Sequence, residues 1–419
     1  MKKSTLVASY NKRDKKEILI EFFVILFFIF TGLHKASWAL TQEYGLNIQK
    51  LIGIKLLYFP LLFLFFAFFF AHRYNFIKLG VDSFYVRYIL FYCVFLLFLG
   101  LLSQNFLTRL VEEVWTAFLV FFSYKLGSLV FLWNLFRRIL FYLYIIFSFF
   151  VYIGLNHIRE DIQRGDYDIE RFTGLTVNTE AYNISPILDF WPFILLIGIY
   201  SPNISKVKRL LFLLPFFIYL FFQVYFLKRA PSFRAVFLIA AAVYFFKKRN
   251  FIFSLRIIFI LVFIFLLYIY LIPQDLIDRF NTDDTSRQDE FLAMIRNSNF
   301  IQLIFGKGFG GEFTPVFDGV FENVRSSTYL KSTLHIGVGD TILKGGLVFF
   351  VLIFLHIFKN LQFGFNYLNK LNEYGKASFV FLFVFSVFRL IEGGLTPGSI
   401  FNAYCYGVSL GYLDSLNSK

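Results

Sequence analysis

The chain has 419 residues, of which 58% are hydrophobic, with a mean hydropathy of +0.66 and a formal net charge of +14. A soluble protein of this length would need a single core larger than domains usually build, so a soluble fold is excluded. The basic excess would suggest nucleic acid in a soluble chain. Here a large share lies beside apolar segments, where it reports membrane topology, and no nucleic-acid partner is expected.

The apolar residues come in unbroken runs, such as LLFLFFAFFF from Leu61 to Phe70 and the stretch Ile257 to Ile272. An amphipathic surface helix would show a stripe instead. A helix needs about 20 mostly apolar residues to cross the hydrocarbon. The expected fold is therefore an all-α polytopic integral membrane protein, a single membrane domain over 1–419. The basic start MKKSTLVASYNKRDKKE precedes an apolar stretch, Ile18 to Phe30, interrupted only by Glu21, and reads as an uncleaved signal anchor.

In chain order the expected spans are about 17–34, 51–71, 85–103, 112–133, 138–155, 185–201, 209–227, 231–246, 251–273, 339–358, 377–392 and 398–415. The fourth is the weakest, because Glu112 and Glu113 open it and Lys125 interrupts it. Placing both termini in the cytoplasm gives every short cytoplasmic loop at least two basic residues. The clusters are Lys2 to Lys16, Arg73/Lys78/Arg87, Arg137/Arg138, Lys206/Lys208/Arg209, Lys247/Lys248/Arg249 and Lys359/Lys370/Lys376. Two outer loops, 154–186 and 273–337, are too long to be turns. Loops of this length are usually functional or disordered, and the apolar residues spaced along these predict partial order and work at that face.

Two cysteines, Cys93 and Cys405, make neither a disulfide framework nor a metal site, and CxxC, HExxH and Walker A patterns are absent from the sequence. The segment GKGFGG, Gly306 to Gly311, has the glycine content of a phosphate loop. It follows no strand-like segment of a βαβ unit, so it is not read as a nucleotide site. No cofactor or metal is expected.

The outer side is rich in arginine: Arg159, Arg164, Arg171, Arg229, Arg234, Arg279, Arg287, Arg296, Arg325 and Arg389. A guanidinium binds phosphate oxygens in pairs and stays charged at any relevant pH. Several sit at helix mouths, as in LKRAPSFRAVFL, where an arginine is costly without an anionic partner; interfacial snorkelling is the bland alternative. Acidic candidates follow nearby. Asp283, Asp284, Asp289 and Glu290 lie in NTDDTSRQDEF, and Asp340 ends HIGVGD after His335. A carboxylate or imidazole there could deprotonate a sugar hydroxyl. The acidic run also fits a helix start with Thr285 or Ser286 as N-cap, and both roles can hold together. His34, His72 and His356 lie at span ends and read as interfacial, and His157 as structural. His335 closes the large loop where water meets lipid headgroups, and is the histidine with a candidate direct role.

Three segments carry a family resemblance: ERFTGLTVNTEAYN at Glu170 to Asn183, KRAPSFRAVFLIAA at Lys228 to Ala241, and SRQDEFLAMI…IFGKGFGGEF…HIGVGDTILKGGLVFF from Ser286 to Phe350. With a dozen spans and a large late loop, the chain resembles the O-antigen polymerase and ligase superfamily of membrane glycosyltransferases, with a GT-C-like architecture. The loop ends His335-Ile336-Gly337 where ligases and many polymerases have His-Asn-x. The resemblance implies glycosyl transfer between undecaprenyl-diphosphate-linked sugars on the periplasmic face of the inner membrane, without nucleotide sugar or metal. It implies that Arg229 or Arg234, with Arg287, holds the donor diphosphate, and Arg325 is counted with these substrate-binding groups. Arg171 and Asn178 shape the other subsite. His335, Glu290 or Asp340 supplies the catalytic base. The implied partners are the lipid-linked oligosaccharides and membrane lipids, with a chain-length regulator as a further candidate. A repeat-unit polymerase is the leading reading, an O-antigen or other glycan ligase the alternative. A lipid-linked oligosaccharide flippase is a third, disfavoured because the two halves show no convincing internal repeat.

Overall fold

A computed structural model describes residues 14–44, 58–78, 84–103, 107–163, 191–200, 205, 211–218, 237–242, 244–245, 291–313, 337–391 and 400–417. Among these the chain is helical and contains no β-strand. The helices used below are α1 (Lys15–Tyr44), α2 (Tyr58–Arg73), α3 (Phe84–Leu102), α4 (Leu107–Gly127), α5 (Val130–Gln163), α6 (Trp191–Tyr200), α7 (Phe300–Phe305), α8 (Gly337–Tyr367), α9 (Glu373–Ile391) and α10 (Ile400–Asn417). Two helices, Phe84–Leu102 and Val338–Tyr367, are each long and apolar enough to cross a membrane. The pair Glu113–Gly127 and Val130–Ile146 passes only when taken together, and is bent by 108°.

That bend departs from the expected pattern. Arg137 and Arg138 were expected in a loop between the fourth and fifth spans, yet both lie inside α5, and the chain turns earlier, at Gly127 to Leu129. The reason is local. The fully buried Trp133 donates its indole N–H to Gly127 O at 2.9 Å, satisfying a carbonyl that the helix end leaves open. Its ring stacks on Phe193 and Tyr374, both at 5.4 Å between centroids, so the corner is anchored on α6 and α9. The expected fourth span, 112–133, straddles this corner. Elsewhere the helices outrun the expected spans. Helix α1 continues to Tyr44, α8 to Tyr367, and α5 to Gln163, inside the stretch assigned to the first outer loop. The expected span 251–273 falls wholly outside the described residues, 209–227 mostly, and 231–246 by half.

Between apolar helices in an apolar solvent, packing depends on close approach rather than on a hydrophobic drive. The tightest example is α10 on α4. Gly407 and Gly411, one helical turn apart, bring α10 against Val120 O and Tyr124 O, where an added Cβ would collide with both carbonyls. Gly127 answers from α4 against the backbone of Val408. Helix α1 packs on α2 and α5, and α8 packs on α3, α9 and α10. Phenylalanine fills the seams, as where Phe27 and Phe28 of α1 meet Tyr404 of α10 at 4.9 and 5.3 Å.

Basic side chains gather at one end of this bundle. Lys16 lies over the Tyr74 ring, Lys125 donates to Lys78 O, and Lys359 lies over the Tyr85 ring. The opposite end holds the C-terminus of α3, the start of α4, α7 and the first turns of α8.

Candidate functional site

Helix α8 is not continuous. Gly346 sits at φ 67°, ψ −178°, a backbone state open to glycine and closed to side-chain-bearing residues, and the helix breaks there. A break leaves carbonyls without their N–H partners four residues on, and burying them unpaired costs about 2–7 kcal/mol each against an apolar reference. The segment after α7 supplies substitutes. Lys307 N donates to Leu343 O at 2.8 Å and Gly308 N donates to Lys344 O at 3.0 Å.

This segment is the GKGFGG run. Gly306, Gly308 and Gly310 all take positive φ, so the chain turns tightly enough to lie against two helices at once. Phe309 N donates to Leu96 O of α3 at 3.2 Å, and Gly308 abuts the backbone of Gly100 with no room for a Cβ on either. Tyr92 of α3 donates its hydroxyl to Phe305 O at 3.1 Å. Helix α7, which leads into the loop, starts with a capping box between Asn299 and Gln302. Ahead of it, the helical turns at 291–296 place Ala293 and Met294 against Phe313 and Leu343 in a small separate core. Residues 291–313 are thus a folded piece seated on the bundle. Lys307 donates its ammonium to Asn297 O and Glu312 O, at 3.1 and 3.0 Å, and partial burial holds its pKa below the usual lysine value.

The fourth loop N–H leads to the charges. Gly310 N donates to Glu113 Oε2 of α4 at 2.7 Å. The other oxygen of Glu113 lies 3.0 Å from Lys344 Nζ, and the same ammonium lies 3.2 Å from Asp340 Oδ2, one turn earlier on α8. All three side chains are largely enclosed, with side-chain exposures of 17% for Glu113, 9% for Lys344 and 6% for Asp340. Two carboxylates around one ammonium, all largely withdrawn from water, form a buried charge cluster.

No family model, curated protein or solved structure matches this chain.

Of the residues singled out from the sequence, Asp340 belongs to this cluster. Its carboxylate is buried and accepts a hydrogen bond from Lys344. His335, Glu290, Arg171, Asn178, Arg229, Arg234, Arg287 and Arg325 lie outside the described residues. Arg296 is exposed at the end of the turns 291–296. The expectation for His356 needs correction. It is 3% exposed inside the bundle, with Nε2 3.9 Å from Asp414 Oδ2, because Asp414 of α10 and Tyr124 of α4 close over it. Sequence reasoning missed Lys344 and took Glu113 only as a blemish in a weak span. The available signals were a lysine four residues after an aspartate inside an apolar run, and an acidic pair opening another. Among the described residues, no three metal-ligating side chains come together.

Proposed function

We propose that this chain is a multi-pass protein of the bacterial inner membrane, with about twelve spans and both termini cytoplasmic, that polymerises oligosaccharide repeat units. A hydroxyl of a lipid-linked acceptor attacks the anomeric carbon of the donor glycan, and the bond to undecaprenyl diphosphate breaks. Arg229 or Arg234, with Arg287 and Arg325, binds the diphosphate and neutralises the charge that grows on it as it leaves, an electrostatic contribution of the kind that often dominates catalysis. Arg171 and Asn178 shape the second lipid or sugar subsite. His335 or Glu290 takes the acceptor proton. Diphosphate is already a good leaving group, so positioning supplies much of the acceleration, and no metal is required.

The observation that carries this reading is the packing of the stretch with the family resemblance. Its pieces at 291–296, Gly306–Gly311 and Leu343–Gly346 fold together on one end of the bundle. The gathering of Lys16, Lys125 and Lys359 at the other end supports an orientation in which that folded piece faces outward.

Deleting the gene and examining surface polysaccharide tests the proposal. A single-repeat product supports a polymerase, polymer accumulating on the carrier lipid points to a ligase instead, and an unchanged polysaccharide rejects both. Within that experiment Arg287→Ala and Arg234→Ala are each expected to abolish long-chain glycan while the protein still inserts. A normal chain-length ladder from either variant removes that arginine from diphosphate binding.

A further inference from the structure

We propose that the Glu113–Lys344–Asp340 bridge is a clasp that fixes the segment 291–313 on the bundle, making Glu113 and Lys344 positioning residues for the proposed glycan transfer; the positioning role rests on that reading, the clasp itself does not. Four consecutive loop N–H groups, from Lys307 to Gly310, each donate to a different acceptor on α8, α3 or α4. Three of those acceptors are backbone carbonyls. The fourth, Glu113, is a side chain, and it is held in place by Lys344, whose own carbonyl receives Gly308 N. One lysine therefore serves the loop twice, through its carbonyl directly and through its ammonium by way of Glu113. Asp340 sets that ammonium from one turn away on the same helix.

The clasp matters because of what adjoins it in the chain. The seated segment begins at Phe291, directly after Glu290 and four residues after Arg287, and Asp340 follows His335 by five. A shift of the seat would displace the entry points of both stretches that carry the proposed diphosphate and proton chemistry, and small misplacements in such sites cost rates of about 100-fold. The bridge is a locked part rather than a lid. Its members are enclosed, and the loop carries out the hydrogen bonding that the broken helix cannot do for itself.

Hydrogen–deuterium exchange of the full-length protein in lipid nanodiscs tests the clasp without reference to activity. In the wild type the amides of Lys307 to Gly310 are expected to exchange as slowly as those of α4 and α8. Exchange as fast as at an exposed loop overturns the clasp, and this arm needs no variant to fold. In Glu113→Leu, which leaves Lys344 paired with Asp340, exchange at these amides is expected to rise about tenfold or more, and the glycan ladder to collapse toward a single repeat. Glu113→Gln keeps an oxygen for Gly310 N and is expected to restore both readouts to within a few fold of the wild type. Unchanged exchange in Glu113→Leu overturns the clasp. Raised exchange with a normal ladder overturns the positioning role. If deletion of the gene leaves the polysaccharide unchanged, the polymerase reading and the positioning role fall together, and the exchange arm still decides whether the clasp exists.

Discussion

The two ends of the bundle use lysine in opposite ways. At the basic end Lys16, Lys125, Lys359 and Lys370 reach along their stems to a ring face or a carbonyl, with the ammonium near the surface. At the clasp end Lys344 is enclosed and balanced by two carboxylates. The first arrangement keeps hydration and asks little of its partners. The second has given hydration up, so removing one partner leaves buried charge less well balanced. The same residue type is thus interchangeable in one place and constrained in the other, and the difference lies in access to water.

Lys344→Met is the sharpest way to break that contrast. It leaves Glu113 and Asp340 facing each other without the cation, and breaking a buried pair costs about 3–5 kcal/mol. We expect a large fall in the thermal unfolding midpoint of the detergent-purified protein, whereas Lys125→Met should barely move it. Equal effects would end the distinction between the ends. Gly411→Val comes next, on the basic side. Its side chain would enter the space of Tyr124 O, and overpacking of this kind costs about 1–3 kcal/mol. A midpoint within a degree of the wild type would show that α10 can draw back from α4 freely.

Tyr124→Phe should have an effect of comparable size. The hydroxyl gives Asp414 Oδ2 a hydrogen bond of 2.7 Å, and bonds to charged groups contribute about 1.5–3 kcal/mol. Its loss also leaves Asp414 with His356 alone, at 3.9 Å, so the double variant Tyr124→Phe/His356→Leu should deviate from additivity. Strict additivity would mean the two side chains act separately. Smallest of all is Arg138→Ala. The ion pair with Glu21 spans a long 3.5 Å, and although the carboxylate side chain is only 8% exposed the arginine is 42% exposed, so solvent screening leaves it at about 1 kcal/mol. A large destabilisation there would show that exposure is a poor guide to which charges matter in this bundle.

Much of the helical fold was legible in the chain. The runs at 85–103 and 339–358 became α3 and the body of α8, because unbroken apolar stretches leave the backbone no partner but itself. The corner at Gly127 was not legible, since nothing in the run from Glu112 to Trp133 says that an indole six residues on will take the glycine carbonyl. His356 was misjudged for a related reason. Position along a helix gives depth, but which neighbours close over a side chain depends on the helices beside it.

The site divides in the same way. Composition and the spacing of apolar runs determined that the described residues are mainly helical, with segments suited to a membrane, because each helix closes its own hydrogen bonds within a few residues. They also marked Asp340 and the glycine run as unusual. Only the tertiary structure decided that Glu113 and Gly310 meet the Asp340–Lys344 pair. Glu113 and Gly310 are 197 residues apart, and a buried charge finds its partner through packing across the fold, which local sequence does not encode.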